Sequence, residues 1–241
     1  NVMRFLSATI LAFGILAISA CSVQQIQKTV DGYLKDAKPT TEEVVSGLKE
    51  ALEKGITNGA KKASAVDGYY KNPQIKIPFP PDVQKVETKL RQLGMDKQVD
   101  QFIETLNRGA EEAAKEAVPI FVSAIKQMTI NDAWNILKGD KDAATQYLQK
   151  TTTSQLEDKF KPVIQKALDK VNATKYYGDL VNTYNKIPFV DKVNPDLNDY
   201  ATTLAIDGLF KLVAQEEANI RSNPGARTTE LLKKVFKEQD N

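Results

Sequence analysis

Apolar residues recur every three or four positions over most of the chain after residue 40, which is the spacing of one face of an α-helix. The first such run follows Thr40 and Glu43, whose spacing is that of a capping box, in which two side chains satisfy free N–H groups at a helix start. Its apolar face consists of Val44, Val45, Leu48, Leu52 and Ile56. The pattern therefore predicts an amphipathic helix that begins just after residue 40.

Prolines, glycines and capping residues divide the rest of the chain into further amphipathic segments. One helix is predicted to start after residues 80–82 and to stop at Gly94, because a glycine suits the left-handed position that ends many helices. A longer periodic run covers residues 99–117, and we expect Pro119 to end it or kink it. The remaining helices are predicted to begin at Thr129, Asp140, Ser154 and Asp196, with a last one after the break at residues 223–225.

Strand signals are confined to two short segments that share the sequence Lys-Ile-Pro-Phe, at residues 76–79 and 186–189. In the first copy Ile75, Ile77 and Phe79 alternate with other residues, as in a half-buried strand. We therefore expect an all-α fold, a multi-helix bundle of two loosely similar halves, with at most one short two-stranded β-ribbon.

The start of the sequence has the features of an export signal. Arg4 precedes an uncharged, largely apolar run of 16 residues, 5–20, which is shorter than the roughly 20 residues of a membrane-spanning helix. The run ends in Ile-Ser-Ala directly before Cys21, the only cysteine. This arrangement resembles a bacterial lipobox, in which the cysteine sulfur is acylated and the cysteine becomes the new N-terminus. We therefore predict Cys21 as the site of lipid attachment.

This signal predicts both the organisation of the chain and its location. We expect a signal peptide over residues 1–20, a lipidated N-terminus and tether over 21–40, and a helical domain over 41–241. Acyl chains such as palmitate would hold the protein on a membrane, because each buried CH₂ contributes about 0.8 kcal/mol. Ser22, rather than Asp, follows the cysteine, which resembles an outer-membrane lipoprotein. The expected location is therefore the cell envelope, on the outer membrane, facing the periplasm.

The composition restricts the kinds of catalytic and binding site that the chain can form. The 241 residues include 33 Lys and Arg against 31 Asp and Glu, so there is no basic excess of the kind typical of nucleic-acid-binding proteins. The absence of histidine excludes a His-based catalytic triad and His-ligated zinc, and a single cysteine excludes an intramolecular disulfide. We expect no cofactor, no metal, no catalytic residue and no nucleic-acid partner.

A set of charged residues is the strongest candidate for a site within the helical domain. Arg108 and Glu111 lie in an alanine-rich segment, and Glu217 precedes Arg221 by four residues, the favourable order for a helical ion pair. Arg227 follows in a turn. If they are buried they need matching partners, so two hypotheses stay open. They form either a structural ion-pair network or a ligand site in which arginine binds a carboxylate or phosphate.

Several motifs around these residues resemble the bacterial domain-of-unknown-function 4197 lipoproteins. The resemblance extends over roughly residues 45 to 238 and is carried by residues 106–108, 128–133, 136–140, 205–210, 216–229 and 231–236. It implies a secreted helical domain, commonly on a lipoprotein, and implies no activity, cofactor or catalytic residue.

The expected function is therefore a non-catalytic binding or assembly-support module, held on the membrane by its lipid and directed at an envelope protein partner. The first alternative is an envelope protein that binds a small molecule or a lipid in a groove between the two helical halves. The second is an envelope hydrolase that uses two carboxylates, as glycosidases do.

Overall fold

Helices joined by short connections account for most of the chain from Thr40 onward. A computed structural model describes residues 40–186, 188–189, 191–227 and 229–236. Its α-helices are α1 (Thr41–Ser64), α2 (Gln84–Gln92), α3 (Asp96–Ala113), α4 (Ala117–Gln127), α5 (Ile130–Lys138), α6 (Ala143–Asp169), α7 (Ala173–Tyr184), α8 (Leu197–Ser222) and α9 (Glu230–Phe236). Short 3₁₀ helices cover Pro81–Val83, Ala114–Glu116 and Pro224–Ala226. The all-α prediction is confirmed.

The long helices α1, α6 and α8 form the centre of the bundle, and α8 packs against both of the others. The core includes Ile56 of α1, Phe160 of α6 and Leu209 of α8, each fully buried. Burial of one such side chain stabilises the fold by about 1.5–3 kcal/mol. The remaining helices pack around this centre, with α3 against α6, and α4 and α9 against α1.

The predicted helix starts are confirmed at several points. Thr40 and Glu43 form the capping box of α1, and Thr129 forms the equivalent box with Asp132 at the start of α5. Asp196 caps α8 by accepting a hydrogen bond from the N–H of Asp199. Gly94 has φ of +78°, the left-handed conformation predicted for the residue after a helix.

The predicted start at Ser154 is wrong, because α6 runs without interruption from Ala143 to Asp169. Pro162 lies inside this helix and does not end it. The start predicted at Asp140 is shifted as well: Asp142 holds the capping position and its side chain makes no capping bond. A carboxylate from another helix takes over that task, as described below, and no local pattern could indicate it.

Pro119 breaks the helix before its own position. The helical run changes to a 3₁₀ turn at Ala114–Glu116, and α4 then begins at Ala117. Pro119 thus occupies the first turn of α4, where its missing N–H would have no intrahelical acceptor. The predicted interruption is confirmed, and it lies three to five residues upstream of the proline.

Helix α7 was absent from the prediction. It begins after Asn172, whose φ of +53° is left-handed, and it buries Ala173, Tyr177 and Val181 at intervals of four residues. Three buried apolar residues in twelve give a weak periodic signal, since most of the intervening positions are polar.

The segment expected to form a ribbon is held by a side chain instead. The N–H of Ile77 donates to Asn107 Oδ1 at 2.8 Å, and Asn107 Nδ2 donates back to the Ile77 carbonyl at 2.8 Å. A neighbouring strand would supply the same pair of bonds. No β-strand occurs among the described residues. In the second copy residue 187 lies outside them, and Phe189 is exposed whereas Phe79 is buried.

Helix α2 is attached through Val86 and Leu90, which are partly buried against the core, and through charges. None of its residues is buried, and it is joined to α3 by Arg91, which contacts Asp96 at 3.4 Å and Asp100 at 2.9 Å. Arg91 also pairs with Glu87 within α2 at 3.0 Å. No helix in the described part of the chain is long and apolar enough to cross a membrane.

Close packing at Gly208 gives a test of the core. A Cβ placed there would lie 2.8 Å from Tyr69 Cε1 and 3.0 Å from Ile75 Cβ, both buried. We expect Gly208→Ala to lower the free energy of unfolding by about 1–3 kcal/mol through overpacking. At Gly178, in the middle of α7, a Cβ would contact nothing within 4 Å, so Gly178→Ala should raise it by about 0.5–1 kcal/mol. Urea denaturation of both variants measures the difference, and equal effects would contradict the packing described here.

Candidate functional site

The structure separates the five charged candidates into distinct groups. Arg108 and Glu111 lie together on α3, Glu217 and Arg221 lie together on α8, and Arg227 lies beyond the end of α8. Cys21, the predicted lipid attachment site, lies outside the described residues. The two ion-pair groups have different partners and are considered in turn.

Arg108 is the centre of the first group, which we call the α3 cluster (Asp67, Arg108, Glu104 and Glu111). Its Nη1 contacts Glu111 Oε2 at 2.8 Å, and its Nη2 contacts Asp67 Oδ1 at 2.8 Å and Glu104 Oε1 at 3.1 Å. The guanidinium also lies 5.2 Å from the centre of the Tyr70 ring, within the range of a cation–π contact. All three carboxylates of the cluster therefore share one arginine.

Glu111 connects the α3 cluster to the backbone after α1. Its Oε1 accepts hydrogen bonds from the N–H groups of Tyr69 and Tyr70, both at 3.1 Å, while its Oε2 contacts Arg108. Tyr69 is fully buried and donates through its hydroxyl to the Ala205 carbonyl at 2.5 Å. Burial, and in second place the charge of Glu111, raises the pKa of the Tyr69 hydroxyl. The turn after α1 is thus fixed to both α3 and α8.

The backbone of Asp67 is in the left-handed conformation, which is uncommon for residues other than glycine, with φ of +68°. Its carboxylate lies between Lys71 Nζ, at 2.9 Å, and Arg108 Nη2. The hydrogen bond from Lys71, followed by that from Arg108, holds the pKa of Asp67 below its ordinary value. The left-handed backbone therefore places this carboxylate where two cations stabilise its charged form.

Glu217 and Arg221 form a clamp on two other helices. Glu217 accepts hydrogen bonds from the N–H groups of Ala144 and Thr145, at 3.0 and 2.8 Å, and from the Thr145 hydroxyl at 2.8 Å. Arg221 pairs with Glu217 at 2.8 Å and donates to the Ile136 carbonyl at 2.8 Å. A negative group thereby meets the N-terminus of α6 and a positive group the C-terminus of α5, as the helix dipoles favour.

Arg227 performs a similar task at the end of α8. Its side chain, only 2% exposed, donates to the carbonyls of Ile220 and Arg221 at 3.1 and 2.8 Å. Its guanidinium also lies 5.5 Å from the centre of the Phe236 ring. Arg227 therefore satisfies carbonyls that the last turn of a helix leaves without intrahelical partners, and it connects α8 to α9.

These contacts favour the structural interpretation of the charged residues. The oxygens of Glu111 and Glu217 are occupied by backbone N–H groups and arginine, and both side chains are nearly buried. Sequence reasoning missed Asp67 and Thr145 as partners, because each is more than 40 positions from the group it contacts. Within the described part of the chain, no three carboxylates are placed to hold a metal ion.

A surface groove is the other candidate site. The apolar groove, of about 700 Å³, lies between α2, α3 and α7, and its walls include Val86, Leu90, Met95, Phe102, Tyr176 and Tyr177. A second opening of about 720 Å³, the polar groove, lies between α3 and α6 and includes Glu104, Arg108, Glu112, Lys166 and Lys170. The sequence predicted a ligand groove only in general terms, between two helical halves. The apolar groove could not be located in advance, because α7, which forms one of its walls, was absent from the prediction.

Comparison with known protein families tests the resemblance that the sequence motifs suggested. The sequence profile of a family described as "Protein of unknown function (DUF4197)" matches residues 38–237. The chain belongs to the DUF4197 family. The matched range contains the α3 cluster, the Glu217–Arg221 clamp and both grooves. No curated protein and no solved structure matches the chain significantly.

Neighbouring glutamates of α3 test the structural role of the α3 cluster. We expect Glu111→Gln to lower the free energy of unfolding by roughly 2 kcal/mol, because a nearly buried group loses charge-assisted bonds. Glu112→Gln is the matched control, since Glu112 is exposed and pairs with the exposed Lys115, so its effect should stay within about 0.5 kcal/mol. Urea denaturation measures both, and a Glu111 variant as stable as the control would contradict the assignment.

The lowered pKa of Asp67 predicts a dependence on pH. A depressed native pKa means that the carboxylate stabilises the fold above its ordinary pKa of about 4, and that this contribution disappears as pH falls through the lower native value. Wild type should therefore exceed Asp67→Asn in stability at pH 5, and the two should converge towards pH 2. Asn suits the mutation because it tolerates the left-handed backbone.

Unfolding midpoints in urea at several pH values between 5 and 2 measure this convergence. The exposed Asp158 of α6 supplies the control, and Asp158→Asn should show no such convergence with wild type. A difference between wild type and Asp67→Asn that stays constant over the whole range would show that the charge of Asp67 is not responsible.

Proposed function

We propose that this DUF4197 protein is a lipid-anchored, non-catalytic binding or assembly-support module of the bacterial envelope. The observation that carries the proposal is that its nearly buried carboxylates are held by hydrogen bonds from other parts of the fold. Glu111 and Glu217 are bonded to backbone N–H groups of other elements and to arginines, an arrangement that makes a rigid scaffold. A protein that presents a fixed surface to a partner needs such rigidity.

The proposed location rests on the start of the sequence. The apolar run of residues 5–20 followed by Cys21 supports export and acylation, and Ser22 supports delivery to the periplasmic side of the outer membrane. In this arrangement the helical domain would extend from the membrane on the segment between Cys21 and Thr40, and its partner would be another envelope protein.

Binding of a small molecule or a lipid is the second candidate function. The apolar groove favours it, because its volume of about 700 Å³ lies within the ~300–1,000 Å³ of typical ligand sites and its walls are mainly apolar and aromatic. The carboxylate hydrolase is the weaker alternative. A catalytic carboxyl pair needs one group free to protonate a leaving group, and the nearly buried carboxylates of this fold are held as hydrogen-bond acceptors.

Lipid attachment can be tested directly on the full chain. Cells that express it are supplied with an alkyne analogue of palmitate, and the purified protein is analysed for the label and for intact mass. We expect wild type to carry the label and to begin at Cys21, and Cys21→Ala to lack the label. Ser22→Ala, which keeps the cysteine, is the control and should be labelled like wild type. An unlabelled, unprocessed wild-type chain would contradict the anchor.

A further inference from the structure

The apolar groove and the polar groove are continuous. Both are lined by Gln101 of α3 and by Lys170 and Val171 at the end of α6. Along the two grooves together, the walls change from apolar and aromatic residues near α2 and α7 to charged residues along α6. A surface with this change in character matches a molecule that is apolar at one end and charged at the other.

The apolar part is incompletely covered by the protein itself. The rings of Phe79 and Phe102 pack together at 5.1 Å, and Leu90 of α2 is only half-buried on the same groove. Tyr176 is 68% exposed although it lines the groove. Covering exposed apolar surface of this kind with an apolar chain lowers the free energy, because the surface is removed from water.

The charged part includes two neighbouring lysines. Lys166, in α6, and Lys170, the residue directly after α6, are four positions apart and both exposed, and neither has an ion-pair partner among the residues described. Of the two acidic residues of the polar groove, Glu112 is paired with Lys115, and Glu104 shares Arg108 with Asp67 and Glu111. In the described part of the chain no acidic residue lines the apolar groove. The charged residue that lines both grooves at their junction is a lysine, Lys170. Helix α7 begins beside it at Ala173 without a capping side chain, so the positive end of the helix dipole lies there as well.

We propose that the two grooves together bind a single-chain amphiphile with an acidic head. The chain lies along Leu90 and Phe102 in the apolar groove, and the carboxylate or phosphate of the head lies at Lys166 and Lys170. The inference rests on the second candidate function, lipid binding in the envelope, and specifies its site and ligand class. A carboxylate head would indicate a free fatty acid, and a phosphate head a lysophospholipid.

Photocrosslinking to the full lipidated chain in phosphatidylcholine nanodiscs tests the proposal. The probes are diazirine-bearing palmitic acid, an acidic lysophospholipid (lysophosphatidic acid), and two probes without net charge, monoacylglycerol and lysophosphatidylcholine. We expect peptides of α2, α3 and α7 to be labelled at least tenfold more by an acidic probe than by either uncharged one. The acidic probe that labels more strongly identifies the head group.

Two pairs of variants test whether the probe binds at the two grooves rather than elsewhere on the surface. Lys166→Glu with Lys170→Glu should reduce the labelling by an acidic probe at least tenfold, whereas Lys61→Glu with Lys150→Glu, the same change of charge on exposed helix positions outside both grooves, should leave it unchanged. Leu90→Gln should reduce labelling as well. Leu93→Gln, a change at a 65% exposed residue that does not line the groove, should not. Circular dichroism confirms that all four proteins are folded.

The outcomes separate this proposal from the one on which it rests. Labelling spread over the surface, equal labelling by charged and uncharged probes, or equal effects of the two lysine pairs would each overturn the proposed site. Attachment of palmitate at Cys21 is measured independently of the grooves. Labelling of the grooves that does not depend on the charge of the probe would leave the second candidate function standing and remove only the acidic head. A folded, lipidated protein whose grooves are labelled by no probe would remove both and leave the anchored binding module.

Discussion

The architecture depends on carboxylates that complete the hydrogen bonding of backbone groups far away in sequence. Glu217 supplies the N-terminal cap that α6 lacks locally, and Glu111 does the same for the N–H groups of the turn after α1. A buried N–H group without a partner is costly, so each carboxylate restricts two elements to one relative position. Arginines then balance the charge of these carboxylates, since a buried ion is tolerated only when it is paired.

The same principle accounts for the polar residues that hold irregular segments. Asn107 bonds to both backbone groups of Ile77, and Arg227 bonds to the carbonyls at the end of α8. The long helices α1, α6 and α8, together with α3, therefore support connections that have no regular structure of their own. This leaves the outer surface, and above all the grooves bordered by α2, α3 and α7, available for contacts with other molecules.

The sequence predicted what local chemistry determines. Capping boxes at Thr40 and Thr129 and the left-handed Gly94 are encoded within a few residues, and the structure confirms them. The start of α6 could not be predicted, because its cap comes from a residue 73 positions away. The charged candidates were recognisable in the sequence, but their division into an α3 cluster and a clamp depends on Asp67 and Thr145, which only the fold brings near.

Helix α2 has a consequence for access to the apolar groove. It buries none of its side chains, and Arg91 attaches it to α3 through Asp96 and Asp100, which are mostly exposed to solvent. Dissolved ions weaken exposed contacts of this type, whereas the packed centre of the bundle is insensitive to them. Local opening of α2 should thus require much less free energy than global unfolding, so that amide exchange in this segment quickens with ionic strength while the central helices stay protected. The wall of the apolar groove that α2 forms is therefore expected to open more often as the ionic strength rises.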